Sequence, residues 1–107
     1  MLEMLEPWQS FAGQPDFATG IERELLTELV PGHPLYGVPV RAAARTGASD
    51  DFLFEILDGS GHVAVVHLTW AQRPEFLPCP DTEFYSSLEL WAERRMRPDH
   101  REWRGEE

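Results

Sequence analysis

The residues of this 107-residue chain that could do chemistry are four histidines, one cysteine and 19 carboxylates. His67 leads among them. It falls inside a strand-like run at 62–70, and a carboxylate held beside an imidazole orients a general base or fixes a cation-binding tautomer. In the register argued below, Glu55 is its expected diagonal neighbour, Arg41 a third member, and Thr69 shares their face. His33 is the second candidate. It lies with Tyr36 in GHPLYG at 32–37, a loop fixed by proline and glycine, and loops positioned by a scaffold often carry function. A structural role competes at both places: a polar pair on a half-covered sheet at His67, and a chain reversal at His33 and Tyr36.

The other reactive types narrow the field. Asp50 and Asp51 are adjacent at a strand start, so their side chains point to opposite faces and read as turn caps rather than an acid/base dyad. Cys79 sits between two prolines without a nucleophile motif, and a single cysteine excludes an intrachain disulfide or thiolate zinc cluster. The histidines (His33, His62, His67, His100) show no metal spacing, and no phosphate loop, dinucleotide fingerprint or nucleophile elbow is present. No metal and no cofactor are expected.

The elements that must position these residues follow from periodicity and turn chemistry. Thr19 and Glu22 have capping-box spacing, and Ile21, Leu25 and Leu29 form an apolar stripe with Glu22, Glu24 and Glu28 outside it. Pro31 and Gly32 end that helix. Strand-like runs at 38–45, 52–57 and 62–70 are separated by turn sequences, which predicts an antiparallel meander. A three-residue loop, 59–61 with Gly61 left-handed, puts Phe52, Phe54 and Ile56 on one face with Ala64, Val66, Leu68 and Trp70. Val38, Val40, Ala42 and Ala44 complete that face. The opposite face, with Arg41, Glu55 and His67, is mixed. Prolines from 74 to 80 imply an extended loop. A last helix starts near Ser86 or Ser87, and Pro98 stops it.

The expected fold is therefore α+β: a three-stranded antiparallel meander, order α-β-β-β-α, with both helices on one face. One domain spans residues 1–107. Its core runs from about 17 to 97, preceded by an N-terminal arm, 1–16, and followed by a tail, 98–107. In the arm Met1, Met4, Leu5, Trp8 and Phe11 recur at helical spacing, Pro7 suits the first position of a short helical turn ending near Gly13, and Trp8 and Phe11 are expected to pack onto the body. Trp8 and Trp103 lie outside the framework and are read as partner contacts, whereas Trp70, Phe84 and Trp91 are read as core.

Nine arginines, no lysine and a formal charge of −10 give a field that repels nucleic acid and anionic membrane, so neither is an expected partner. The start lacks a signal-peptide pattern, which makes the expected location cytoplasmic. The element order matches the double-stranded RNA-binding domain, but the last helix opens Ser86-Ser87-Leu88-Glu89 without the basic residues such domains use.

Three strings, GHPLYG at 32–37, DDFLFEILDGSG at 50–61 and VVHLTW at 65–70, together with SSLELWAERRM at 86–96, resemble a group of small bacterial proteins to which no activity is attached. The resemblance covers about 20–99 and implies a stand-alone bacterial domain. The resulting expectation is a non-enzymatic interaction protein, immunity- or antitoxin-like in one version, binding a basic protein or a second copy of itself through the mixed face. The competing reading is a small enzyme or ligand-binding domain using His67 with Glu55 and Arg41.

Overall fold

Gly61 adopts φ +79, the left-handed conformation that costs glycine nothing, and this turn sets the register of the central hairpin. In the computed structural model, which describes residues 3–105, β3 (Asp51–Ile56) pairs with β4 (Val63–His67) so that Phe52 lies opposite Val66 and Phe54 opposite Ala64. The faces are those expected from the loop, but a 59–61 loop would set Asp58 opposite His62; the strands instead part at Ile56 and His62, which displaces the pairing by two residues. Met1 of the arm and residues 106–107 of the tail lie outside the described residues.

The class is α+β, but the sheet has five antiparallel strands rather than three, in spatial order β1 to β5. β1 (Trp8–Ser10) and β5 (Asp81–Tyr85) flank β2 (Val40–Thr46), β3 and β4. The N-terminal arm is thus an edge strand and not a helical turn. The segment after the prolines is a strand and not only a loop.

The helices lie on opposite faces, which corrects the expected one-sided layer. α1 (Pro15–Glu28) packs Ile21 and Leu25, with Leu29 just beyond it, over Ala42, Phe52, Phe54, Ile56, Ala64, Val66 and Leu68. The C-terminal helix covers the other face. It consists of α2 (Leu88–Trp91), a π-helical segment Ala92–Met96 and α3 (Arg97–Trp103). Trp91, Ala92 and Met96 join Trp8, Ala44, Leu53, Val63 and Val65 in a second core. Trp8 is 1% exposed and packs edge-on against Trp91, ring centroids 5.0 Å apart, so it is a core residue rather than a partner contact. Trp91 is core as expected, but Trp70 and Phe84 are exposed.

A β-bulge between Ala42 and Ala44 moves Ala42 to the α1 face, opposite Phe54, and Ala44 to the other face, opposite Leu53. One extra residue reverses the side-chain alternation, which is why Ala44 does not complete the α1 core.

Helix ends differ from expectation for local reasons. α1 starts at Pro15, where a missing N–H is harmless. Thr19 is inside the helix and bonds back to Pro15 O at 2.9 Å. Of the two serines expected at the start of the last helix, Ser87 is the cap, accepting from Leu90 N–H. Pro98 does not stop the last helix. The wider π turn, closed by Arg97 N–H to Ala92 O, places Pro98 in the first turn of α3, where it needs no donor.

Candidate functional site

β3 and β4 bring His67 opposite Asp51, not beside Glu55. Glu55 lies opposite Val63, four residues along β4 and so about 13 Å from His67 at 3.3 Å per residue. The parity of the sequence reading was right and the position along the strand was not. His67 Nδ1 and Asp51 Oδ1 are 2.8 Å apart, and Arg95 donates to Asp51 Oδ2 at 2.7 Å. Arg95 Nε also donates to Asp99 at 2.7 Å, and Trp8 Nε1 donates to the same carboxylate oxygen at 2.9 Å. The result is a chain of polar contacts from β4 through β3 and the C-terminal helix to β1.

Burial works against the Asp51 carboxylate, but the bonds and charges of Arg95 and His67 outweigh it and hold its pKa below the usual 3.8. Arg95 is held in its charged form by Asp51 and Asp99 against its own desolvation. Chemically, the Asp51–His67 pair can fix one imidazole tautomer. His67 is half exposed, 53% by side chain, and its Nε2 has no bond to a described residue. His67 does not line any of three surface clefts formed by the described residues.

The remaining expected site residues are dispersed. Arg41 and Glu55 form their own exposed ion pair at 2.9 Å. Thr69 is exposed, and its N–H donates to Glu28 at 3.1 Å. His33 is buried: its Nδ1 accepts from Leu35 N–H at 3.0 Å, which puts the ring proton on Nε2, facing Pro80 O at 2.8 Å. Both nitrogens are thus used inside the fold, and Tyr36, beside it in sequence, is exposed. His33 ties the turn after α1 to the start of β5.

Two carboxylates escaped the sequence reading, which placed them outside the apolar stripe. Glu28 is 0% exposed and Glu24 is buried beside it. Glu28 accepts from Thr69 N–H at 3.1 Å and Trp70 N–H at 3.0 Å, and Glu24 accepts from Gln72 N–H at 3.2 Å. Together they hold a loop in which Trp70 and Gln72, neither of them glycine, adopt φ 58 and 57. Burial, with a hydrogen bond that protonated Glu28 donates to Glu24, raises the Glu28 pKa to about 7 against the three bonds that favour its charge. The signal was present: 21, 24, 25 and 28 follow the i, i+3, i+4, i+7 pattern of a buried stripe.

β5 is the other feature without a counterpart in the sequence reading. Asp81, Glu83 and Phe84 are exposed along it, and Phe76 and Leu77 stand exposed in the loop before it, Phe76 at 85%. A cleft of about 550 Å³ runs beside it, lined in part by Leu77, Pro78, Asp81, Thr82 and Glu83.

Among the described residues no helix is long and apolar enough to cross a membrane, and no group of three or more His, Cys, Asp or Glu is placed to hold a metal ion. Comparison with family models, with curated proteins and with solved structures finds no match for the chain.

Proposed function

We propose that this chain is a non-enzymatic interaction domain that binds a basic protein through an acidic, partly apolar surface at β5. The observation that carries this reading is the grouping there of exposed carboxylates (Asp81, Glu83) with exposed apolar side chains (Phe76, Leu77, Phe84). Aromatic anchors with a charged surround are what a protein interface uses, and the net charge of −10 speeds the approach of a basic partner. The polar cluster around Asp51 supports the same reading from the other side, because Arg95 and Asp99 are spent on joining helix to sheet. A role in neutralising a basic toxin is one concrete form of this function.

The test is affinity capture on the immobilised chain at low and high salt. A captured partner that is basic and released by salt supports the proposal. A partner whose binding is indifferent to salt, or a partner of acidic character, overturns it.

A second reading rests on one observation, the outward Nε2 of an imidazole fixed by Asp51. Under it, His67→Ala abolishes binding or turnover of a small molecule while stability is retained.

A further inference from the structure

We infer that the outer edge of β5 takes an extended, basic polypeptide segment as a sixth strand. The inference rests on the interaction reading above and names its mode and partner chemistry.

The hydrogen-bond pattern fixes which backbone groups face out. Ile56 N–H bonds to His62 O and Leu68 N–H to Asp50 O, so the even-numbered residues of β4 face β3 and the odd ones face β5. Val63, Val65 and His67 lie opposite Tyr85, Glu83 and Asp81, whose backbone groups are thereby engaged. Thr82 and Phe84 point the other way. Each offers one N–H and one C=O at the outer edge, and no described residue bonds to any of them.

The opposite margin of the sheet is treated differently. Where β2 runs past the end of β1, Ala42 N–H is bonded by the Glu22 carboxylate at 2.8 Å and Ala43 O by Phe11 N–H at 3.0 Å. The bulge at Ala43 further spoils that edge for pairing. β5 has none of these protections. It contains no proline, lysine or bulge, and its register with β4 is unbroken. The β1 margin is closed in part by its own chain, with Trp8 N–H bonded to Leu5 O and Ser10 facing out, whereas β5 presents two outward residues as a template for strand addition.

Side chains then select the occupant. Asp81 and Glu83 share one face of β5, Thr82 and Phe84 the other. Glu83 is partly countered by Arg95 at 3.8 Å, and Tyr85 Oη donates to it at 3.3 Å; Asp81 faces His67 across the ladder. An added strand meets Asp81 and Glu83 with arginine or lysine at alternate positions, and Phe84 (47% exposed) with an apolar residue next to the one that meets Glu83. A second copy of this chain is disfavoured, because β5 against β5 sets carboxylate against carboxylate between two molecules of charge −10 each.

The probe is a capped hexapeptide of alternating arginine and valine, added to the full chain at low salt, with a glutamate–valine peptide as control. Amide exchange read by NMR is expected to slow at Thr82 and Phe84 with the basic peptide alone. The charge-neutral variant Asp81→Asn/Glu83→Gln is expected to weaken binding about tenfold, and Phe84→Pro, which removes an outward N–H, to abolish the protection. The first variant alters only exposed side chains, so it keeps the test open if the proline variant fails to fold. Peptide binding without protection of Thr82 and Phe84 overturns the edge assignment while the interaction reading stands. Protection that grows with protein concentration in the absence of peptide makes a second copy the occupant and overturns it too. If neither the peptide nor any basic protein binds, both proposals fall.

Discussion

Asp51 and Arg95, separated by 44 positions in the chain, meet in a 2.7 Å ion pair that ties β3 to the π-helical segment. Both side chains are largely buried. Removing one member leaves a poorly solvated charge, a loss greater than the value of the pair itself. Arg95→Leu strands both Asp51 and Asp99 and is expected to cost about 3 kcal/mol in denaturant unfolding. His67→Ala removes the exposed end of the same chain of contacts and is expected to cost about 1 kcal/mol or less.

The Glu28 carboxyl gives a pH signature of definite sign. Its pKa rises from 4.5 to about 7 on folding, so between those values the folded chain holds the proton more tightly than the unfolded one, and stability falls as pH rises through that window. Asp51 acts oppositely: its contribution is present above 3.8 and is lost as pH falls through its lowered folded value. Glu28→Gln is expected to flatten the profile between pH 4.5 and 7, measured as denaturation midpoints across a buffer series.

Trp8 makes the N-terminal segment part of the second core. Trp8→Ala is expected to destabilise by about 4 kcal/mol, from lost burial and the cavity left against Trp91. Trp8→Phe keeps a ring there but forfeits the bond to Asp99, at about 1–2 kcal/mol. Thermal unfolding of the two variants orders them.

Gly61 has open space where a Cβ would go, but its φ is +79. Gly61→Ala therefore isolates backbone strain from packing and is expected to cost about 1 kcal/mol. Gly61→Asn, better suited to the left-handed region, is expected to cost less, and equal losses in the two would reject this account.

The faces of the central hairpin were legible because Gly61 and the alternation of Phe52, Phe54 and Ile56 are local signals that fix parity; the loop is two residues longer than expected, 57–61 and not 59–61, so the pairing along the strands was not. The second core was not, because Leu53, Val63 and Val65 alternate with Glu55 and His67 and so resemble a half-solvated surface. Only the return of Trp91 and Met96 from the far end of the chain shows that this face is covered. The covering also removes the sheet face through which self-association was expected. The bulge at Ala43 left no mark in a run of small residues. The partner of His67 was missed by position, not parity: Asp51 looked like a turn residue because Asp50 precedes it. Glu24 and Glu28 were missed because carboxylates on a buried stripe are read as solvent-facing unless something is known to donate to them, and their donors are backbone groups 41 to 48 positions away.

With a helix on either side of the sheet, β3 is covered above and below, and Phe52, Leu53, Phe54 and Ile56 each answer to one core or the other. The rim answers to neither. Asp81, Glu83 and Phe84 can be exchanged generation after generation without a change in Trp91 or Phe54 to compensate. Molecular recognition in this fold is therefore free to diverge quickly while the architecture stays fixed.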